Sequence, residues 1–172
     1  SSVFVSIATI GQTPPASIAG EQYGAPPSSA SQAAPGKYRS IREWLGALRL
    51  LAKPNPTKAK TKLPTVSTTR SKQYAESNHF TDWLSLTREG NAAILVFDRN
   101  AVANHYKMFS TSQGTQNVGD EYEEVIVVPK GAMPIKGTLK GFYFNPKREE
   151  EIEEYKDIPW FKELLKSPYY LG

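Results

Sequence analysis

Two short stretches carry the side chains best suited to chemistry. Asp120-Glu121-Tyr122-Glu123-Glu124 sets four carboxylates in five positions and runs straight into Val125-Ile126-Val127-Val128 and Pro129-Lys130-Gly131. Ser67-Thr68-Thr69-Arg70-Ser71 gathers hydroxyls and one guanidinium at the end of another β-branched run. Valine, isoleucine and tyrosine suit a pleated, half-buried surface, so Tyr122 to Val128 is expected to be a strand. Alternation sends Glu121, Glu123, Val125 and Val127 to one face, and Tyr122, Glu124, Ile126 and Val128 to the other. Glu121 and Glu123 then point the same way beside apolar neighbours. Such a pair can raise a carboxyl's proton affinity, or hold one negative charge beside a developing cation. A solvated acidic loop before an ordinary strand accounts for the same residues.

Composition narrows the chemistry. At 172 residues the chain is long enough for one domain with a real core and short for two. It has no cysteine, which excludes disulfides, thiolate metal sites and a cysteine nucleophile. His79 and His105 are the only histidines, so no metal site is expected. The net charge of +4 permits an acidic partner without demanding one. No apolar run approaches the roughly 20 residues of a membrane helix. The first ten residues lack the basic n-region of a signal peptide. A soluble protein, not exported by its own signal, is the expectation. The chain starts at serine rather than methionine, which fits a processed or trimmed piece of something longer.

The elements that must position these residues follow from pattern. Residues 1–36 hold one charge, Glu21, among alanine, serine, glycine and five prolines. That is too little apolar surface to offset ordering entropy alone. Val3 to Ile10 has strand-forming residues, while 11–36 reads as a linker or an arm along a partner. The expected division is therefore an extended arm over 1–36 and a single α+β domain over 37–172. Ser40 and Glu43 form a capping box, with Ile41, Trp44, Leu45, Leu48 and Leu51 at helical spacing and Pro54 as the stop. Lys53 to Lys62 is a basic loop, either a phosphate or acidic-surface contact or a solvated linker. Strands are expected at Pro64 to Ser71, Ala92 to Phe97, Met133 to Ile135 and Thr138 to Phe144. Asp98 should cap a short helix from Arg99 to Tyr106. Charged and amphipathic helices should follow at Lys147 to Lys156 and Asp157 to Lys166, with a tail that is pinned or flexible. The order makes an α+β fold with a mixed or antiparallel sheet.

Ser67-Thr68-Thr69 at one strand end, Ile94 to Asp98 leading to a helix with Tyr106-Lys107, and Glu121-Tyr122-Glu123 opening a third strand come in a telling order. That order resembles the mono-ADP-ribosyltransferase superfamily, particularly small phage-encoded transferases. The resemblance spans about residues 64–136, under half the chain, and rests on order and spacing more than on any single motif. It implies an ADP-ribosyltransferase-like sheet with flanking helices, and NAD as substrate. Cleavage of the nicotinamide–ribose bond passes through an oxocarbenium-like transition state that a carboxylate stabilises. By resemblance Glu123 is that catalytic carboxylate and Glu121 engages the acceptor. Ser67, Thr68 and Thr69 would bond the nicotinamide–ribose side and hold Glu123. Arg70 would pair with the pyrophosphate or with the acidic strand, and Tyr74 would stack on nicotinamide or belong to the core. Ser110-Thr111-Ser112 is not the family motif, since no strand fits between it and Glu121; the loop 109–120 takes the place of the substrate-recognition loop.

The pattern departs from the family in one respect. Val3 to Ile10 carries neither the arginine nor the histidine that anchors NAD on an early strand. A second expectation therefore stands beside the enzyme: a non-enzymatic virion structural or interaction protein on a degenerate transferase fold. Partners would be a protein acceptor, or virion neighbours reached through the arm, in the host-cell cytoplasm or the virion. No membrane contact is expected. Nucleic-acid binding through Lys53 to Lys62 is not expected either, because that loop lacks interleaved aromatics.

Overall fold

Runs of β-branched and aromatic residues become strands where both faces can be covered, and here that requirement brings the start of the chain to the centre. The computed structural model describes residues 1–7, 18–19, 40–47, 49–54, 62–76, 93–110, 122–153, 156–157 and 159–172. In chain order the strands are β1 (Ser2–Ile7), β2 (Ile18–Ala19), β3 (Arg49–Leu51), β4 (Lys53–Pro54), β5 (Pro64–Thr69), β6 (Ala93–Asp98), β7 (Met108–Ser110), β8 (Glu123–Val127), β9 (Ala132–Pro134) and β10 (Leu139–Phe144). The helices are α1 (Ile41–Ala47), α2 (Lys72–Ala75), α3 (Arg99–His105), α4 (Glu149–Glu153) and α5 (Pro159–Lys166). The fold is α+β with a mostly antiparallel sheet, as expected from the order of elements.

The main sheet runs β10-β6-β1-β5-β8-β7, with β4 also paired to β5, and every pairing in it is antiparallel. A smaller sheet, β2-β3-β9, lies beside it. One face of the main sheet buries Val3, Val5, Val66, Leu95, Phe97 and Ile126. Leu45 of α1, Val102 of α3, and Phe161 and Leu164 of α5 complete that core. The opposite face buries Ile94, Val96 and Val125, and α2 packs against β1 and β5. Both faces are therefore apolar, which is why β6 reads as the unbroken run Ala-Ile-Leu-Val-Phe and not as alternation.

Several expectations change against this frame. β1 lies between β6 and β5, so the first seven residues belong to the domain's sheet and not to an arm. Ile18 and Ala19 pair with Leu50 and Leu51 of the same chain; the rest of 8–36 lies outside the described residues. The helix expected to reach Leu51 ends at Ala47. Ser40 caps it as read, its hydroxyl accepting from the Glu43 N–H at 3.1 Å. Beyond it, Leu50 pairs with Met133 and both are fully buried. Tertiary packing overrides a helical spacing that Gly46 already weakens. Lys147 to Lys156 is shorter than read as well: Pro146–Arg148 forms one 3-10 turn, capped by Asn145, before α4. The tail is pinned, because the Phe142 N–H donates to Tyr169 O and the Leu171 N–H to Phe142 O, both at 2.8 Å. No described helix is long and apolar enough to cross a membrane.

Candidate functional site

The antiparallel register of β5 against β8 sets Thr69 opposite Glu123, Thr68 opposite Glu124 and Ser67 opposite Val125. Side chains alternate, so Ser67, Thr69 and Glu123 share one face while Thr68 and Glu124 share the other. On the first face the Ser67 hydroxyl donates to Glu123 Oε2, a diagonal contact between the two strands. Glu123 is 1% exposed, so its carboxylate sits fixed in a low-dielectric setting. On the second face the Thr68 hydroxyl donates to the backbone carbonyl of Glu124 at 2.8 Å. Thr69 Oγ1 accepts from the Ser71 N–H at 3.0 Å, and the Ser71 hydroxyl caps α2 by accepting from the Tyr74 N–H at 3.0 Å. The hydroxyl cluster thus holds β8 on one side and turns the chain into α2 on the other.

Glu124 is the hub of a second cluster. Its Oε1 meets Arg70 Nε at 3.1 Å, Arg99 Nε at 3.4 Å and the Ser110 hydroxyl at 2.7 Å. Its Oε2 is buried and has no hydrogen-bond partner among the described residues. Both guanidiniums stay partly in water while the carboxylate does not, so desolvation falls mainly on Glu124. The three donors come from the ends of β5, β6 and β7, which all reach the same edge of the sheet. They line a cleft of about 600 Å³ together with Ser2, Phe4 and Lys72. Glu124, not Glu123, faces that cleft.

Between these two clusters the backbone is strained. Tyr122 has φ +46°, a left-handed conformation that a bulky aromatic rarely adopts. It is held there by the Arg70 N–H donating to Tyr122 O at 2.9 Å and by the Arg70 guanidinium 5.5 Å from the ring centroid. That turn brings β8 in with Glu123 and Glu124 on their respective faces. On the Ser67 face a further group lies over α2. The Tyr143 hydroxyl donates to Glu76 Oε2 at 2.7 Å, and Lys72 Nζ lies 5.1 Å from the Tyr143 ring. Burial first, then the hydrogen bond and negative charge of Glu76, push the Tyr143 hydroxyl well above its ordinary range.

Of the residues singled out in the sequence, the fold brings together Ser67, Thr69 and Glu123. Thr68 is turned to the other face. Arg70 pairs with the acidic strand, at Glu124. Tyr74 is 6% exposed against the sheet, the place of a core residue. Glu121 lies outside the described residues. Sequence reasoning passed over Arg99, Ser110 and the role of Glu124. Ser110 was set aside with its Ser-Thr-Ser, yet β7 pairs Ser110 directly with Glu124. Only the pairing of distant strands reveals these partners, and no local spacing signals it. Among the described residues no cluster of histidine and carboxylate could hold a metal ion. Compared with family models, curated proteins and solved structures, the chain shows no match.

Proposed function

We propose that the chain is an NAD-dependent mono-ADP-ribosyltransferase-like protein of the phage-encoded kind, on a sheet of ADP-ribosyltransferase-like type. In this reading Glu123 stabilises positive charge on the ribose as the nicotinamide bond breaks. The observation that carries it is the hydrogen bond from Ser67 to Glu123 on the shared face of β5 and β8. A carboxylate already oriented by a donor needs no reorganisation when charge develops beside it, which is where such groups gain most. Thr69, across from Glu123 and likewise buried, would bond a sugar hydroxyl on the same face once that face opens. Arg70, Arg99 and Lys72 around the neighbouring cleft are the cations that would meet the pyrophosphate. The acceptor role of Glu121 rests on the resemblance alone. Because Glu123 is nearly inaccessible, substrate entry requires its surroundings to open.

The same burial favours a second reading, a non-enzymatic structural or interaction protein that keeps the fold. There the Ser67–Glu123 bond is an internal fastening. The described β1 side chains on that face, Ser2 and Phe4, include no cation to anchor a nucleotide.

Nicotinamide release and the melting temperature with NAD, measured for the wild-type chain, Glu123→Gln and Glu124→Gln, separate these readings. The transferase predicts turnover that falls by roughly 10²–10³ in Glu123→Gln, by analogy with other preorganised electrostatic groups. It also predicts turnover largely kept in Glu124→Gln. A loss confined to Glu124→Gln would move the chemistry to the cleft. No turnover and no NAD-induced rise in melting temperature leaves the structural reading.

A further inference from the structure

The opposite end of β8 holds a second cleft, of about 860 Å³, within the size range of ligand sites. Its rim carries Arg49, Lys107, Lys130, Lys136 and His105, and no carboxylate among the described residues lines it. The cause lies in the sequence. The three segments that build it fall within 44–75, 99–119 and 125–148, and none of these contains a single Asp or Glu. No carboxylate among the described residues is ion-paired with the three rim lysines or with Arg49. The segments that supply the described lining are thus free of acidic residues, while Glu124 at the other end of β8 is paired with Arg70 and Arg99.

The floor is of a different kind. Buried Val127 and Val128, with Pro129 and Pro134, make its lining apolar, and Tyr106, half-buried against the core, supplies an aromatic ring. Cations beside an aromatic ring are the two ingredients of single-strand recognition: phosphates track the charge and a base stacks on the ring. A duplex hides its bases and would leave that floor unused. The basic loop alone was discounted for want of aromatics, but the fold supplies Tyr106 and His105 from the end of α3, far away in the chain. We infer that this cleft binds single-stranded nucleic acid, without sequence preference, independently of any chemistry at Glu123.

Fluorescence anisotropy of the full chain with labelled dT20 and rU20 tests this, the two oligonucleotides distinguishing DNA from RNA. Three to four phosphate contacts predict that affinity falls roughly twenty- to fiftyfold between 50 and 200 mM salt. The Lys130→Gln/Lys136→Gln variant should lower the log–log salt slope by about 1.4, and Lys162→Gln/Lys166→Gln on α5 should leave it unchanged. Tyr106→Leu, which keeps apolar volume, should weaken binding about tenfold with the slope retained. Melting curves confirm that each variant is folded. Absence of binding at 50 mM salt overturns the inference. So does displacement of the oligonucleotide by polyglutamate at equal charge, or indifference to both lysine and tyrosine changes, since either would mark a general acidic-partner surface or none.

Discussion

Glu123 and Glu124 are neighbours in the chain whose carboxylates serve opposite faces of one sheet. The Ser67 hydroxyl donates to the first, whereas two guanidiniums and a hydroxyl converge on the second. The strain at Tyr122 is what this division costs locally. A left-handed conformation is about 1–2 kcal/mol unfavourable for a residue with a Cβ. Tyr122→Ala keeps that penalty and loses the ring contact with Arg70, while Tyr122→Gly relieves it. Urea denaturation should therefore find Tyr122→Gly no less stable than Tyr122→Ala, reversing the usual order by which glycine is the worse residue. Tyr143 gives a second residue-level expectation. Its folded value is raised, so the native state keeps the phenol proton after the unfolded chain has lost it. The contribution of Tyr143 is therefore full below about pH 10 and is lost as pH rises above it. The stability gap between wild type and Tyr143→Phe should be wider at pH 8 than at pH 11. Alternation, which is local, gave the face of Glu123, and the contact with Ser67 was expected from the resemblance. Arg99 and Ser110 were not legible in the sequence, because their meeting with Glu124 depends on which strands lie side by side.

At the scale of elements, the strands were readable and the helices less so. A run such as Ala93 to Asp98, buried on both faces, keeps its identity in any context. The span Ile41 to Leu51 carries apolar residues that serve a helix or a strand equally well, and Met133 of β9 decides the matter by pairing with Leu50. The C-terminal tail depends on one small residue. A Cβ on Gly141 of β10 would clash with the Tyr169 carbonyl oxygen and come within 2.7 Å of Leu171 Cγ. Gly141→Ala should lift the tail from β10 and cost about 1–3 kcal/mol, the range for forced overpacking. Tyr170, whose ring lies 5.8 Å from Phe142, would lose that contact. Limited proteolysis should then remove residues 168–172 from the variant well before it touches the wild type.

For the whole molecule the decisive feature is the place of β1. Val3 and Val5 are fully buried, and six residues of β1 pair in register with β6. A chain lacking residues 1–7 should fail to fold, leaving β5 and β6 with open edges that invite association. A synthetic peptide of residues 1–7 added during refolding should restore native far-ultraviolet circular dichroism by adding the missing strand. The biased composition of 1–36 pointed to an arm because sequence pattern sees local charge and apolar content, not the slot that later strands will make. That slot also sets a timetable. β1 is the first strand of this chain to leave the ribosome, and it finds its partners only once Asp98 has followed. Val3 must meet Phe97 and Phe4 must meet Thr69. Until then the segment has only Thr69 of β5 to close upon. Contacts so distant along the chain slow folding, so this protein should mature late and all at once, with synthesis paused before residue 98 yielding little protease resistance and synthesis carried past Phe144 yielding most of it.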